Sequence, residues 1–521
     1  MGNAAVASNH PAATQAGLDV LRSGGTAADA AVTVSLCLGV AEPFMSGIGG
    51  DGFFHVFDGQ PVVYEGAGCA PAAATIELYR NGMPDSGPLS ISPPGVLAAL
   101  FQLHANHGKL PFSRLFEHAI DLARNGVRVG HTYRRYAESD SWRFSNQSGS
   151  EVYLHDGRVP DIGSRIVNET FAKTLEMIAS NGVEVFYRGE LGELLARDLA
   201  LAGAILTKDD LAATRGMSRP PFRGTYRGYE ILQTPQVSTG FVLLNELAIL
   251  ERFDIDKLRE QPGLLTHVMI EAKKLAFVER ERFGADPAFG DIGLDRLLDP
   301  VVIKRQADRI QLGSTADLAI ASDRKEVNTT YFCIADDNGQ VVSAIQSLNS
   351  PFGSGVFSPS TGIMLNNRMT CWHLEAGHPN ALRPGKKVRQ TMNAPIILKD
   401  GRPWSVLGTP GADNQVQVNF QAAVSLIDLG MDPQQTVEAP RWSSDQRGQG
   451  ANWPHRGDNV LTVEASFPHD VLSDLERRGH RLKVVPPLEG PCSLEIVRIL
   501  SDGTKIAGSD PRRDGWAAAY G

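Results

Sequence analysis

Two neighbouring stretches of strand-like sequence bring a threonine and a serine together. Residues 329–335 and 340–347 flank a turn signal centred on Asn338, which predicts a β-hairpin. Pairing that is symmetric about Asn338 sets Thr329 opposite Ser347, because each lies nine positions from the turn centre. Directly opposite side chains lie about 5 Å apart. The sequence therefore predicts two facing hydroxyls at one end of the hairpin.

Asn349 adds a carboxamide to this pair, because it lies two residues beyond Ser347 and so on the same face of the strand. Hydroxyls can serve as nucleophiles when a base accepts their proton. The alternative is that Thr329 only favours the extended backbone of a strand. A shift of one residue in the register would also separate Thr329 from Ser347.

The rest of the pattern predicts the elements around this hairpin. A helix is expected over 10–24, and Thr26 is the expected N-cap of a second, apolar helix to about residue 40. Hairpins are expected over 53–65, 396–408 and 491–509, with a helix over 416–429. Residues 92–325 show mostly helical periodicity. Strands near both ends with helices between them predict a layered α/β domain built from both halves.

Two motifs are weaker signals than they first appear. Gly47, Gly49 and Gly52 have the spacing of a dinucleotide loop, but they follow a helix and precede a strand, which is the reverse of that motif. A tight buried turn, or a loop beside an active site, is the better interpretation. His373 and His378 lack the H-E-x-x-H pattern, so we expect an exposed loop pair.

Composition excludes several classes of protein. The 521 residues carry a net charge of -9, which disfavours binding to nucleic acid or to an anionic membrane. No apolar run approaches the length of a transmembrane helix, and the first residues lack a secretory signal, so we expect a cytoplasmic protein. Five scattered cysteines predict neither disulfides nor a zinc site, and no motif calls for a metal or other cofactor.

Several motifs, in order along the chain, resemble those of the γ-glutamyltransferase family of N-terminal nucleophile hydrolases. Those near the start are Gly24-Gly25-Thr26-Ala27-Ala28-Asp29-Ala30-Ala31 and Ser46-Gly47-Ile48-Gly49-Gly50. The later ones are Asn328-Thr329-Thr330-Tyr331-Phe332, Asn349-Ser350-Pro351-Phe352-Gly353-Ser354-Gly355, Gly362-Ile363-Met364-Leu365-Asn366-Asn367, Gly408-Thr409-Pro410-Gly411, Glu438-Ala439-Pro440-Arg441 and Ser509-Asp510-Pro511-Arg512.

The resemblance implies a four-layer αββα sandwich with additional helices from a large chain. It also implies self-cleavage between Asn328 and Thr329, giving a large chain 1–328 and a small chain 329–521 that stay associated as a heterodimer. The freed α-amino group of Thr329, with an unperturbed pKa of about 7.7 to 8, would act as the base for its own hydroxyl. Small-molecule amides or γ-glutamyl compounds are the implied substrates.

The same resemblance assigns further residues around Thr329. Ser347 would contact the Thr329 amine, and Asn349 would line the substrate site. Gly411 and Ala412 would offer backbone N–H groups to the oxyanion, the alternative being an ordinary turn after Pro410. Thr391 would place a hydroxyl on the substrate side, the alternative being an ordinary loop residue.

Two departures from the family concern the charged residues that bind the γ-glutamyl group of the substrate. Ala67 stands where glutathione-acting members carry a carboxylate-binding arginine, and Cys371 stands where they carry an acidic residue. The chain resembles instead a divergent branch that includes oxamate amidohydrolase, in which Arg368 would grip a substrate carboxylate bidentately. The alternative for Arg368 is a surface ion pair.

These features predict an autoprocessing amidohydrolase or acyltransferase acting on a small amide that bears a carboxylate, such as oxamate. A true γ-glutamyl transferase or glutathione hydrolase remains the first alternative. The second, from another class, is a processed but inactive member that only binds ligands.

Overall fold

The structure is a computed structural model that describes residues 1–144, 148–290, 293–318 and 328–521. The strands in this part of the chain are β1 (Ala4–Ser8), β2 (Asp51–Asp58), β3 (Gln60–Gly66), β4 (Val127–Arg128), β5 (Arg165–Ile166), β6 (Met217–Arg219), β7 (Phe222–Tyr226), β8 (Tyr229–Gln233), β9 (Asn328–Ala335), β10 (Val341–Asn349), β11 (Phe357–Ser358), β12 (Ile363–Met364), β13 (Ile396–Lys399), β14 (Arg402–Gly408), β15 (Trp442–Asp445), β16 (Val460–Glu464), β17 (Leu482–Val485), β18 (Glu495–Ile499), β19 (Lys505–Ser509) and β20 (Trp516–Tyr520).

The α-helices of the same ranges are α1 (Pro11–Arg22), α2 (Ala27–Ala41), α3 (Val96–His107), α4 (Glu117–Asn125), α5 (His131–Asp140), α6 (Ser150–Tyr153), α7 (Glu169–Asn181), α8 (Glu184–Tyr187), α9 (Glu190–Leu201), α10 (Lys208–Ala213), α11 (Phe241–Leu250), α12 (Ile255–Arg259), α13 (Pro262–Phe283), α14 (Pro300–Ala307), α15 (Asn414–Ile427), α16 (Pro433–Glu438) and α17 (His469–Arg477). None of the helices described is long and apolar enough to cross a membrane.

Two large sheets form the centre of the molecule. The first has seven strands in the order β20-β1-β9-β10-β2-β3-β6, and the second has six in the order β19-β18-β14-β13-β8-β7. Apolar side chains from both sheets form one core between them, including Phe53, Tyr331, Ile345, Ile396 and Val497. Each sheet combines strands from before and after residue 328, as the sequence predicts for a domain built from both halves.

Helices cover the outer face of each sheet. Helices α1, α2, α3, α4 and α7 share one apolar core with the first sheet, and α11, α13 and α15 share another with the second. Helix α2 is buried along almost its whole length, which explains its nearly continuous apolar sequence. The layers therefore follow the order αββα, and the expected fold class is confirmed.

The hairpin of β9 and β10 has the predicted register up to Gln346. Thr330 pairs with Gln346 and Ala335 pairs with Val341, both symmetric about Asn338. The register shifts between Gln346 and Asn349, where a β-bulge begins. Helix α2 also begins as predicted, with a capping box between Thr26 and Asp29.

Other strands contradict the sequence prediction. The stretch 217–233 was expected to continue the helical texture, but it forms β6, β7 and β8. Strands β1 and β20 were not anticipated, although β1 pairs directly with β9, the strand at whose start Thr329 lies. Three of the five residues in each strand are alanine, which is a weak strand former, so pairing with distant partners is what makes them extended.

The glycine-rich loop before β2 is a tight buried turn, as the sequence favours. A β-carbon on Gly49 would overlap the carbonyl oxygen of Met364, and one on Gly50 would overlap that of Ser347. The backbone of this loop therefore packs directly against β10, beside Ser347. The dinucleotide interpretation is wrong because a strand, not a helix, follows the loop.

We expect Gly50→Ala to lower the free energy of unfolding by about 1 to 3 kcal/mol, since the added methyl group must push β10 away. Denaturant unfolding followed by circular dichroism measures this change. Gly313→Ala is the matched control, because Gly313 is exposed and a β-carbon there meets no atom within 4 Å. Equal stability of the two variants would contradict the close contact.

Candidate active site

Thr329 lies at the start of β9 with only 1 % of its surface exposed. Its hydroxyl Oγ1 donates to Ser347 Oγ at 3.3 Å. Ser347 Oγ also accepts the backbone N–H of Asn349 at 2.7 Å, which fixes the serine hydroxyl in place. The two facing hydroxyls expected from the hairpin register are therefore in contact.

The β-bulge positions Asn349 beside this pair. Asn349 has a φ of 82°, a left-handed conformation that is rare for a residue other than glycine. Its Nδ2 donates to Thr370 Oγ1 at 3.0 Å and approaches Asn367 Oδ1 and Asn452 Oδ1 at 3.1 and 3.2 Å. This dense network holds the strained backbone and points Asn349 Oδ1 towards Arg368.

Arg368 is buried rather than exposed, and its ion pair is with Asp51. Its Nε donates to Asp51 Oδ2 at 3.0 Å and its Nη1 donates to Asn349 Oδ1 at 2.9 Å. The surface ion pair considered from the sequence is therefore wrong, and the guanidinium is not free to grip a ligand with two nitrogens. Within the described chain, Nη2 has no hydrogen-bond partner, so one nitrogen remains available.

Asp51, on β2, bonds to three other segments of the chain, one of which carries Arg368. Besides the guanidinium, it accepts the backbone N–H of Gly68 at 3.1 Å and the side-chain amide of Gln390 at 3.3 Å. Burial raises the pKa of Asp51, and the Arg368 cation opposes that rise. Asp51 also pairs with Ser347 across β2 and β10, so one strand pair carries both groups.

Thr391 follows Gln390 in the same buried loop. Among the described residues, neither Thr391 Oγ1 nor Gln390 Oε1 has a hydrogen-bond partner. Buried polar atoms are rarely left unpaired in folded proteins. Arg368 and Gln390 both bond to Asp51 Oδ2, so their unpaired atoms lie on side chains beside one carboxylate, and the unpaired Thr391 hydroxyl is on the next residue of the loop.

The loop with Gly411 and Ala412 lies at the same end of the two sheets as Thr329. Gly408, at the end of β14, packs against the ring of Tyr331, two residues after Thr329. Gly411 and Ala412 have φ values of 116° and 51°. No partner for either backbone N–H occurs in the described residues, and both residues are buried. Their N–H groups are thus free to bind an anion at the start of α15.

Arg513, missed in the sequence analysis, approaches Thr329 from the other chain end. Its Nη1 donates to the Thr329 carbonyl oxygen at 3.3 Å and its Nη2 to the Tyr136 hydroxyl at 3.1 Å. The sequence signal was available, because Arg513 directly follows the family-like Ser509 to Arg512 motif. Asp51 likewise directly follows the glycine motif, whereas nothing in the sequence marked Asn452.

His373 and His378 are not an exposed loop pair, which corrects the sequence prediction. His373 is 7 % exposed, and its ring stacks on His378 at 3.5 Å and on His455 at 3.8 Å between centroids. His378 Nδ1 accepts the backbone N–H of Asn380 at 3.0 Å, so its proton sits on Nε2, facing Glu281. That tautomer leaves no lone pair on Nε2 for a metal.

A second histidine cluster lies around His267. His267 Nε2 faces the Gln311 carbonyl oxygen at 2.9 Å and therefore carries the proton, while His267 Nδ1 accepts from His480 at 2.8 Å. The Lys274 ammonium lies 2.9 Å from the neighbouring Glu271 carboxylate, where a cation would bind. In the second cluster both histidine nitrogens and the carboxylate are therefore already engaged, whereas in the first cluster His373 Nε2 has no hydrogen-bond partner among the described residues and lies 3.7 Å from Glu281 Oε2.

The paired sheets, the αββα layers and the hydroxyl at the start of a central strand define the N-terminal nucleophile hydrolase fold class. A sequence model described as gamma-glutamyltranspeptidase matches residues 13–520. The chain belongs to the gamma-glutamyltranspeptidase family.

Similar proteins span nearly the whole chain. The glutathione hydrolase-like YwrD proenzyme of Bacillus subtilis is 34 % identical and the oxamate amidohydrolase proenzyme of Klebsiella pneumoniae is 32 % identical, each over 98 % of this chain and 97 % of the relative. The crystal structure of cephalosporin acylase from Bacillus halodurans superimposes with a TM-score of 0.90 at 31 % identity, covering 100 % of this chain and 96 % of that one.

Glu42 is a buried carboxyl group that contacts β9 next to Thr329. Its Oε2 accepts from the hydroxyl of Thr330 at 2.6 Å. Burial raises the pKa of Glu42 from 4.5 to about 7, although the Arg513 cation and the Thr330 hydroxyl act against this rise. A raised pKa means that the folded state prefers the protonated form. Glu42 therefore makes its full contribution to the free energy of unfolding below about pH 4.5. This contribution is lost as the pH rises through about 7.

Glu42→Gln should remove this loss, because glutamine stays neutral and still accepts from Thr330. We expect the variant to gain unfolding free energy over the parent as the pH rises from about 5 to about 8. Denaturant unfolding at several pH values measures the difference, with Glu77→Gln on the surface as the control. Parallel pH profiles for parent and Glu42→Gln would show that Glu42 does not titrate in this range.

Proposed function

We propose that this chain matures by cutting itself between Asn328 and Thr329 and then cleaves amides through an acyl-Thr329 intermediate. The contact between Thr329 Oγ1 and Ser347 Oγ, at the start of a buried central strand, carries this proposal. The names of the relatives support it, since both the B. subtilis and the K. pneumoniae proteins are called proenzymes.

In maturation, Thr329 Oγ1 attacks the carbonyl carbon of Asn328 while the peptide nitrogen of Thr329 leaves. The product is an ester between the Asn328 acyl group and the Thr329 side chain, and the hydroxyl proton goes to the departing nitrogen. Water then opens the ester, which releases the Asn328 carboxylate and restores the Thr329 hydroxyl beside the amine that the first step freed. The chains 1–328 and 329–521 remain together in this scheme, because β1 and β2 flank the hairpin of β9 and β10.

In turnover, the free amine of Thr329 accepts the proton of its own hydroxyl as the oxygen attacks the substrate carbonyl. The oxyanion that forms is stabilised by the N–H groups of Gly411 and Ala412, whose orientation is set before the substrate arrives. The amine then gives its proton to the leaving nitrogen. Water attacks the acyl-Thr329 ester by the same route and regenerates the enzyme.

The group of unpaired atoms near Asp51 supports a small polar acyl group. Arg368 Nη2 and Thr391 Oγ1 would each bond to an oxygen close to the scissile carbonyl, such as a carboxylate oxygen of oxamate. Arg368 acts here through one nitrogen, since Asp51 and Asn349 occupy the others. A relative named oxamate amidohydrolase and others named acylases favour this class.

Hydrolysis of glutathione is the second candidate, favoured by the names of several relatives. Against it, Ala67 offers no cation for the glutamyl carboxylate, and Cys371 lies buried with its thiol donating to Asn452 Oδ1 at 3.2 Å. Charge-assisted hydrogen bonds contribute about 1.5 to 3 kcal/mol each. The absence of both ionic contacts would substantially weaken the binding of a γ-glutamyl substrate. A member that only binds ligands would process normally and turn over nothing.

Purified protein should run as two chains of 328 and 193 residues, since 521 − 328 leaves 193. Thr329→Ala should stay a single inactive chain, because it lacks the attacking oxygen, whereas Thr329→Ser should still be cut. Intact mass spectrometry and N-terminal sequencing of the small chain measure this.

Thr330→Val is the matched control, since the Thr330 hydroxyl contacts Glu42 and Asn9 instead of Ser347. It should be cut before residue 329 like the parent. A small chain that begins elsewhere would refute Thr329 as the nucleophile. A panel of amides scored by ammonia or amine release then tests turnover, and a processed enzyme that cleaves none of them would be a binding protein.

Arg368→Ala and Arg368→Lys should both lower kcat/KM for the best carboxylate-bearing amide by about 2 to 5 kcal/mol of transition-state binding. A lysine ammonium cannot bond to Asp51, Asn349 and a substrate at the same time, so Arg368→Lys should restore little of the kcat/KM that Arg368→Ala loses. Both variants should still be cut at Thr329. Efficient glutathione hydrolysis that is unaffected by Arg368→Ala would restore the second candidate.

The double variant Asp51→Asn/Arg368→Met is the control for stability. It removes both buried charges, so the unpaired Asp51 left by Arg368→Ala no longer destabilises the protein. We expect its melting temperature to recover towards the parent while its activity does not. Recovery of activity as well would show that Arg368 serves stability alone.

A further inference from the structure

One arginine of the large chain contacts the loop of Gly411 and Ala412 through Asp413 and reaches the loop of Gln390 and Thr391 through Glu281. Arg280, near the end of α13, is 1 % exposed. Its Nη1 bonds to Asp413, the residue after Ala412, and its Nη2 donates to the Gln449 carbonyl oxygen at 2.6 Å. Its Nε and Nη2 also reach Glu281 Oε1, at 3.0 and 2.8 Å.

Glu281 extends this network to the substrate loop. Its other oxygen accepts from Arg389 Nη1 at 2.8 Å, and Arg389 directly precedes Gln390 and Thr391. Burial would raise the pKa of Glu281, but Arg389 and Arg280 outweigh it and hold that pKa well below the usual range. Glu281 therefore stays ionised and links the two arginines firmly.

The backbone next to Asp413 needs such a restraint. Ala412 has a φ of 51°, in the left-handed region that costs a residue with a β-carbon about 1 to 2 kcal/mol. Asp413 precedes α15 without capping it through its side chain, so its carboxylate is committed to Arg280 instead. A buried ion pair one residue away can hold Ala412 in this conformation, which sets the direction of its N–H.

We propose that Arg280 is a positioning residue for the oxyanion site, acting from the large chain through Asp413 on Gly411 and Ala412. The inference rests on the proposed function. Arg280 itself does not touch the substrate. It keeps the N–H groups of the small chain aimed where the oxyanion forms, and misplacement by about 1 Å can cost about a hundredfold in rate.

The test compares Arg280→Met with the control Arg282→Met on the same helix, where the Arg282 side chain is 64 % exposed and pairs with Glu279, outside the network of Asp413 and Glu281. Both are assayed with the best amide found for the parent enzyme. Methylboronic acid is the second probe, because the Thr329 oxygen can add to its boron and form a tetrahedral anion that resembles the oxyanion. The amine of Thr329 takes the hydroxyl proton, and no bond to boron breaks.

We expect Arg280→Met to be cut normally, to keep KM within about twofold and to lose about tenfold to a hundredfold in kcat. Its inhibition constant for methylboronic acid should rise by the same factor as kcat falls, since both report the oxyanion site. Arg282→Met should match the parent in all three quantities. A lower melting temperature with unchanged kcat and inhibition constant would overturn the proposal.

Asp413→Ala and Asp413→Asn provide a second comparison if Arg280→Met does not fold. Asparagine can still accept from Arg280, so it should keep most of the activity that alanine loses. Equal activity of the two would overturn the positioning role. A parent enzyme that is processed but neither cleaves an amide nor binds methylboronic acid would instead refute the proposed function, and the inference with it.

Discussion

The pairing of β9 with β10 is the interaction on which the rest of the site depends. It brings Thr329 Oγ1 and Ser347 Oγ within 3.3 Å, and its bulge turns Asn349 towards Arg368. A slip by one residue would turn every side chain of the strand to the opposite face. The tight turn at Asn338 and the close packing of Gly50 on Ser347 therefore fix the register, and with it the positions of the two hydroxyl groups.

The local sequence was enough to predict this hairpin, because a β-hairpin with a tight turn depends mainly on residues that are close together in the chain. It could not reveal the bulge, which depends on the contacts of Asn349 with Asn367, Thr370 and Asn452 far along the chain. The same limit applies to β1, whose alanines become extended only between β9 and β20. The interpretation of Arg368 was incomplete because its partner, Asp51, lies more than 300 residues away.

Buried charges connect parts of the site that come before and after residue 328 in the chain. Asp51 reaches from β2 to Arg368 and Gln390, and Arg280 reaches from α13 to Asp413. Each charge is compensated within hydrogen-bonding distance, because an unpaired one would cost several kcal/mol. Such pairs demand accurate geometry, so they couple the shape of the substrate loops to the docking of the two parts.

The last strand of the chain, β20, covers the outer edge of β1, which in turn supports the nucleophile strand. If the final six residues were deleted, β1 would expose an unpaired row of alanine backbone, and open edges of this kind recruit other chains. Removal of β20 would thus favour aggregation even where the catalytic residues themselves were unchanged.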